Sequence, residues 1–226
     1  MDTLQNLPGD LLKYYLDGGA VMHMISVLSL FSLTTIIYKL IVFRRVKTNV
    51  NEFIAKVRSN LLKGNMKGAI QACEEQRGPV AAIIKTGLLK YNDNSPREQI
   101  EKTMESASIH EVAYLEKYLT VLATITNIAP LLGFLGTVVG MILSFEVIAE
   151  AGLNDPGRVA KGISVALLTT AYGLIVAFVT QPFYNFFTSK VATYTREIET
   201  SVNILFETFD EMDRMSGQKS AVSPVR

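Results

Sequence analysis

Two uncharged stretches of this chain gather hydroxyl and small side chains into lines. In the first, Ala123, Thr126, Pro130, Gly133, Thr137, Gly140 and Ser144 follow at steps of three or four, and in the second Gly162, Ala166, Thr170, Gly173, Ala177 and Thr180 do the same. At 3.6 residues per turn each set shares one helix face. Small residues, Gly136 among them, let helix backbones approach closely, and packing alone accounts for such lines in a membrane. The hydroxyls of Thr137 and Thr170 can also bond back to a carbonyl one turn earlier. The polar groups are nevertheless more numerous than close approach requires, with Thr124, Thr126, Asn127 and Thr137 on one stretch and Ser164, Thr169, Thr170 and Thr180 on the other. Hydroxyls in file can pass or position a proton, and hydroxyls with backbone carbonyls can also coordinate sodium. A threonine carries no charge at neutral pH, and neither stretch holds an Asp, Glu, Lys, Arg or His. If protons move here, another chain supplies the carrier.

The elements that must position these lines are membrane helices. Of the 226 residues 49% are apolar, yet the charged residues avoid three windows, which separates a polytopic membrane protein from a soluble globule. The windows run over 18–43, 118–145 and 162–187, each long enough to cross about 30 Å of hydrocarbon. In the first, His23 and Lys39 lie near the ends, where a long side chain can snorkel. A signal peptide is the competing reading of that window, but its leader carries Asp2, Asp10 and Asp17 against only Lys13. The fold class expected is therefore an all-α integral membrane protein, with the second and third spans extended into a cytoplasmic helical domain.

Most Lys and Arg fall within 44–117, beginning with Arg44, Arg45 and Lys47, whereas 146–161 has only Arg158 and Lys161. The positive-inside rule then places 44–117 and 188–226 in the cytoplasm and the N-terminus and the 146–161 loop outside. Leu4, Leu7, Leu11 and Tyr14 recur at helical spacing, so 1–17 reads as an interfacial helix on the outer face. Within 44–117, Gly64, Gly68 and Gly78-Pro79 divide the chain into short helices. Ser95, Pro96 and Glu98 read as N-cap, N1 and N3 of a helix that runs unbroken to Pro130. A helix from there to Phe145 would be about 75 Å long. After Phe187 the positions Val191, Tyr194, Ile198, Val202, Leu205, Phe209 and Met212 form a seam that suits either the 44–117 helices or a neighbouring subunit. Gly217 to Arg226 reads as a disordered tail. A net charge of +1 gives no reason to expect nucleic acid, and the single Cys73 offers neither a disulfide nor a metal cluster. No cofactor motif is present, and no carboxylate pair or nucleophile–base set at membrane depth suggests an enzyme.

The run Asn127-Ile-Ala-Pro-Leu-Leu-Gly-Phe-Leu-Gly-Thr-Val-Val-Gly-Met-Ile, then Gly162-Ile-Ser-Val-Ala-Leu-Leu-Thr-Thr-Ala-Tyr-Gly-Leu-Ile-Val-Ala with Pro182 and Tyr184-Asn185, resembles the MotA/TolQ/ExbB proton-channel family. The likeness covers about residues 100–195, and three spans resemble the TolQ/ExbB branch, since flagellar MotA subunits have four. It implies the pore-forming subunit of a proton-driven motor in a bacterial inner membrane: a homopentamer around a dimer of single-span ExbD/TolR-like subunits, driving a TonB- or TolA-like envelope-spanning protein. In that family the partner's membrane aspartate takes protons from the periplasm and releases them inward, and the pentamer is thought to rotate around the dimer. Thr137 and Thr170 match its pore-facing threonines, and with Thr169, Ser164 and Thr126 they are the expected ion pathway, while Gly133, Gly136, Gly140, Gly173, Ala177 and Pro130 pack the helices. Many TolQ/ExbB members carry glutamate in a Gly-Ile-Ala-Glu-Ala-Leu stretch where this chain has Val165. The exchange resembles the flagellar branch. A flagellar-stator-like subunit and a non-conducting membrane scaffold are the rival readings. The membrane potential supplies about 2.3 kcal/mol per charge per 100 mV, so a few protons per cycle are enough to move a partner.

Overall fold

The computed structural model describes residues 18–46 and 49–221. The expected interfacial helix at 1–17 lies outside them. Among the described residues there are seven α-helices and no strand: α1 (Gly19–Val46), α2 (Val50–Leu62), α3 (Met66–Glu75), α4 (Pro79–Asn92), α5 (Arg97–Glu116), α6 (Leu119–Ala151) and α7 (Pro156–Ala221), with a single 3-10 turn at Gly152–Asn154. Three segments, Gly19–Arg44, Arg97–Glu150 and Pro156–Met215, are long and apolar enough to cross a membrane. The chain forms two units, one of Met1–Lys39 with Tyr118–Phe187 and the other of Leu40–Lys117 with Thr188–Arg226.

In the first unit α1 buries Val21 and Ile25 beside Ile125, Ala129 and Val176. The outward side chains are also apolar. Leu30, Phe31, Leu131, Phe134 and Leu167 are exposed, and Phe178 is 80% exposed. In water such a surface would aggregate, whereas hydrocarbon solvates it. Lys39 is buried at 1% exposure rather than extended as a snorkelling side chain.

The second unit is built like a soluble domain. Val57 and Leu61 of α2, Ala69 and Cys73 of α3, Ile84 and Leu88 of α4 and Met104 of α5 close around Ile198, Leu205 and Phe209 of α7. Ile198, Leu205 and Phe209 of the seam read from the sequence thus pack within their own chain. Gly87 lies against the Met104 side chain, where a Cβ would collide. Tyr91 stacks on Phe209 with ring centroids 4.0 Å apart and donates to the Asp213 carboxylate at 2.7 Å. Burial, with Asp213 beside it, pushes the Tyr91 phenol up to about 12. Burial likewise pushes the Cys73 thiol up to about 12. Arg58–Glu211 and Arg97–Asp210 tie α2 and α5 to the end of α7.

Several boundaries differ from the expected ones. Ser95 does not cap α5. Pro96 occupies the cap with no side-chain bond, because the Ser95 N–H turns back to Lys90 O at 3.1 Å behind a left-handed Asn94. Gly68 stays inside α3, its N–H capped by Asn65 Oδ1 at 2.9 Å. The helix from Pro96 does not run to Pro130: Lys117 is extended and Tyr118 left-handed at φ 68°, so α5 ends and α6 begins afresh. That conformation costs about 1–2 kcal/mol for a residue with a side chain, offset in part by the edge-on contact of Tyr118 with Tyr38 of α1 at 5.6 Å. Pro130 and Pro182 both sit inside continuous helices. Within a membrane helix, proline need not end it. Between α6 and α7 only four residues separate the helices, and Asp155 caps α7 by accepting the Arg158 N–H at 3.1 Å. The α7 backbone stays helical to Ala221, past Gly217, where the sequence reads as a disordered tail.

Candidate pore-lining site

The candidate residues stand where α6 and α7 pair, and the pairing is set by glycine. A Cβ built on Gly140 would lie 2.8 Å from both Ala166 Cβ and Gly162 O, and one on Gly133 would lie 3.0 Å from Thr170 Cα. Gly173 faces the Ala129 carbonyl, Gly136 the Thr169 side chain and Gly162 the Ser144 hydroxyl, each too closely to admit a Cβ. Along α6 the partners ascend as 129, 133, 136 and 140 while along α7 they descend as 173, 170, 169 and 166, the register of an antiparallel hairpin. Gly133, Gly136, Gly140 and Gly173 are therefore packing positions, and backbone faces backbone over about two turns.

The hydroxyls divide into three kinds. Thr170 reaches across, donating to Gly133 O at 2.8 Å. Ser144 also reaches across, to Val159 O at 3.2 Å, besides bonding Gly140 O on its own helix. Thr169 is buried against Gly136 and donates within α7 to Ala166 O at 2.9 Å. Thr137 bonds back to Phe134 O at 2.6 Å and Thr126 to Leu122 O at 2.9 Å. Ser164 points away from the pairing. It lies two residues from Ala166, about 200° round the helix, exposed in an open groove of about 510 Å³ with Ile163, Leu167, Leu168 and Ala171. Thr169 and Thr170 are thus brought to the α6 glycines, while Thr126 and Thr137 stand at the margin of that line and Ser164 outside it. Ala177 and Pro130 are half-buried beside the contact line rather than on it.

Polar links also join α1, which holds no expected site residue: Ser32 Oγ and Thr180 Oγ1 lie 2.7 Å apart, both buried. The spacing of Ser26, Ser29 and Ser32 along the first span was the available signal. Thr180 donates to Val176 O at 2.7 Å, so Ser32 is placed to donate to Thr180. Ser26 meets Tyr172 OH at 3.5 Å one turn and a half away. Among the described residues no cluster of His, Cys, Asp and Glu could hold a metal ion.

Residues 75–200, which carry this whole hairpin, match the MotA/TolQ/ExbB proton channel family. A putative biopolymer transport protein ExbB homolog of Methanothermobacter thermautotrophicus is 30% identical over 202 residues, 88% of this chain and 70% of that protein. The chain belongs to the MotA/TolQ/ExbB family. The biopolymer transport protein ExbB of Aquifex aeolicus is 43% identical over 83 residues, 35% of this chain and 56% of that one, and the Tol-Pal system protein TolQ of Haemophilus influenzae 33% identical over 101 residues, 43% and 44% of the two chains. Within the family these likenesses place it on the TolQ/ExbB branch. Val165 is half-buried, and its carbonyl also accepts from the Thr169 hydroxyl, at 3.1 Å. This ExbB/TolQ-like chain accordingly offers a hydroxyl and carbonyl surface with no Asp, Glu, Lys, Arg or His between Leu119 and Phe145 or between Gly162 and Ser189.

Proposed function

We propose that the chain is the pore-forming subunit of an inner-membrane motor that couples proton flow to mechanical work, as a homopentamer around a dimer of single-span, ExbD/TolR-like subunits. The observation that carries this reading is the pairing of a proton-channel family match over 75–200 with two apolar stretches, 119–145 and 162–189, rich in hydroxyls and devoid of charged or imidazole groups. A hydroxyl pore needs a proton carrier from outside the chain, and a membrane aspartate on the partner fills that role. Burial in a low-dielectric pore raises the pKa of such a carboxyl. Thr170 and Thr137 both donate to carbonyls, so their oxygens remain free to accept from a protonated carboxyl. When the carboxyl ionises, the same hydroxyls can rotate to donate to it. The partner aspartate would thus have different hydrogen bonding in its two charge states, which is what a stepwise cycle requires.

The weight of Lys and Arg in 44–117 supports a cytoplasmic position for that segment, with the α6–α7 turn in the periplasm and a TonB- or TolA-like protein as the driven partner. The scaffold reading has its own support, since both threonine hydroxyls already satisfy backbone carbonyls and need no ligand. Reconstitution distinguishes the two. Proteoliposomes holding the chain with a single-span, aspartate-bearing partner should conduct protons under an imposed potential, while the chain alone should not. The absence of flux in a correctly assembled complex would leave the scaffold. Cysteines placed at Asn154 or Asp93 in a Cys73→Ser background test the orientation, and Asn154 alone should react with an impermeant maleimide added outside intact spheroplasts.

A further inference from the structure

In the unit of residues 40–117 and 188–226, α5 and α7 leave between them a groove of about 760 Å³. Its lining positions recur at steps of three and four from 101 to 116 on α5 and from 195 to 206 on α7, so the groove follows α5 for about 22 Å and α7 for about 16 Å. The floor is apolar. Met104 and Ile198 are buried beneath it, Val202 and Phe206 are half-buried along it, and Ile109 stands 66% exposed at its side. The rim is anionic. Glu101, Glu105, Glu116 and Glu199 are exposed around the groove, and among the described residues no Lys, Arg or His lines it, although the Arg97 guanidinium lies 5.3 Å from the Phe206 ring centroid.

Elsewhere in this unit several carboxylates are paired, Glu75 with Lys56, Glu74 with Lys85, Asp210 with Arg97 and Glu211 with Arg58. The four around the groove make no ion pair among the described residues. An apolar channel between two adjacent helices accepts a third helix, whose ridge fills the groove at the usual interaxial distance. An unmatched carboxylate rim selects the charge of that helix, because opposite charges favour docking and like charges oppose it. The same rim disfavours the anionic headgroups of a cytoplasmic leaflet.

We propose that the α5–α7 groove docks an amphipathic, Lys/Arg-rich helical segment of a partner protein, about four turns long. The helix would seat an apolar stripe on Val112, Val202 and Phe206 and lay cations over Glu101, Glu105 and Glu199. This inference does not rest on proton conduction, and its readout is binding rather than flux.

The test uses the full chain in nanodiscs of zwitterionic lipid and two labelled peptides of about 16 residues, one a Leu/Lys heptad helix and the other its Leu/Glu counterpart. The Lys peptide should bind saturably above empty discs, weaken as salt is raised, and bind at least about tenfold more weakly to Glu101→Gln/Glu105→Gln/Glu199→Gln. The Glu peptide should not bind. In Cys73→Ser/Ile109→Cys the Lys peptide should protect the new thiol from maleimide. Equal binding to the triple Gln variant, equal binding of both peptides, or binding no greater than to empty discs would overturn the proposal. So would an Ile109→Cys thiol that is inert before peptide is added and cross-links between copies, since a second copy would then fill the groove. If the triple variant does not fold, the salt series and the peptide pair on the unmodified chain still decide.

Discussion

Around Gly133 and Gly173 two helices meet on backbone atoms and hydroxyls, whereas around Leu88 and Phe209 helices meet on aliphatic and aromatic side chains. The difference follows the solvent. In hydrocarbon, burying a leucine gains nothing over leaving it in lipid, so association depends on close approach and on hydrogen bonds. In water, burial of apolar area is the dominant gain, at about 25 cal/mol per Å², and the second unit collects large side chains and adds ion pairs at its edge. The helix α7 changes vocabulary along its length. Gly162, Ala166 and Gly173 give way to Ile198, Leu205 and Phe209. That change of packing chemistry within one helix is the one expected where a helix leaves hydrocarbon for water.

The largest effect should come from adding bulk where backbones touch. Gly173→Leu or Gly140→Leu places a side chain against the Ala129 carbonyl or the Gly162 carbonyl and Ala166 N, and backbone cannot yield cheaply. Loss of the α6–α7 pairing and of the assembled oligomer is expected, read by native mass spectrometry. An unchanged oligomer would mean that the two regions do not differ as argued.

The second unit should respond to lost bulk instead. Leu88→Ala is expected to cost about 2–5 kcal/mol, with the loss reported by Cys73. The buried thiol titrates near 12 rather than its ordinary 9, so at a given pH below 9 its thiolate fraction is about a thousandfold below that of an unfolded chain. Alkylation of Cys73 should then proceed only through opening of the unit and accelerate in Leu88→Ala. The sign of the pH dependence follows. The folded thiol keeps its proton where the unfolded one has lost it, so this contribution is intact below pH 9 and falls as pH rises from about 9 towards 12. Alkylation that is fast in the unmodified protein and unaffected by Leu88→Ala would contradict a sealed core.

Smaller again is the Ser32–Thr180 link. Removing the hydroxyl by Ser32→Ala should cost about 0.6 kcal/mol, and no more than about 1.7, the range found for hydrogen bonds between membrane helices. Reversible unfolding in mixed micelles measures it. A larger loss would mean that polar contacts, rather than the apolar packing of Val21 and Ile25, hold α1 to the bundle. The smallest is Arg58→Ala, whose exposed pair with Glu211 should contribute at most about 1 kcal/mol.

The three membrane-scale helices and the glycine line were legible because charge exclusion and three–four spacing are strong, repeated signals. The helix ends were less so. Glu116-Lys117-Tyr118-Leu119 contains no glycine or proline, and nothing local announces a left-handed Tyr118, which a tertiary contact with Tyr38 helps hold. Conversely Pro130 and Pro182 look like breaks and are not. The hydroxyls of the site were found by type, but their partners were not. Residues at 3.6 per turn share a face without revealing which of Thr137 and Thr170 turns to its own helix and which crosses to Gly133. The groove between α5 and α7 depends on two segments nearly 90 residues apart, and no pattern within either one shows it.

The most direct test of the central claim is proton flux through the double variant Thr137→Val/Thr170→Val, reconstituted with the single-span partner and read by an internal pH dye under an imposed potential. Valine nearly keeps the volume of threonine and removes the hydroxyl, and the glycine line that holds the helices is left intact. Normal assembly with flux reduced by about tenfold or more is expected, as removal of positioned hydrogen-bonding groups at a proton-transfer step generally costs, with the Ser variants retaining much of it. Unchanged flux through a normally assembled Val/Val complex would show that these hydroxyls only satisfy Gly133 and Phe134 carbonyls and that the proton takes another path.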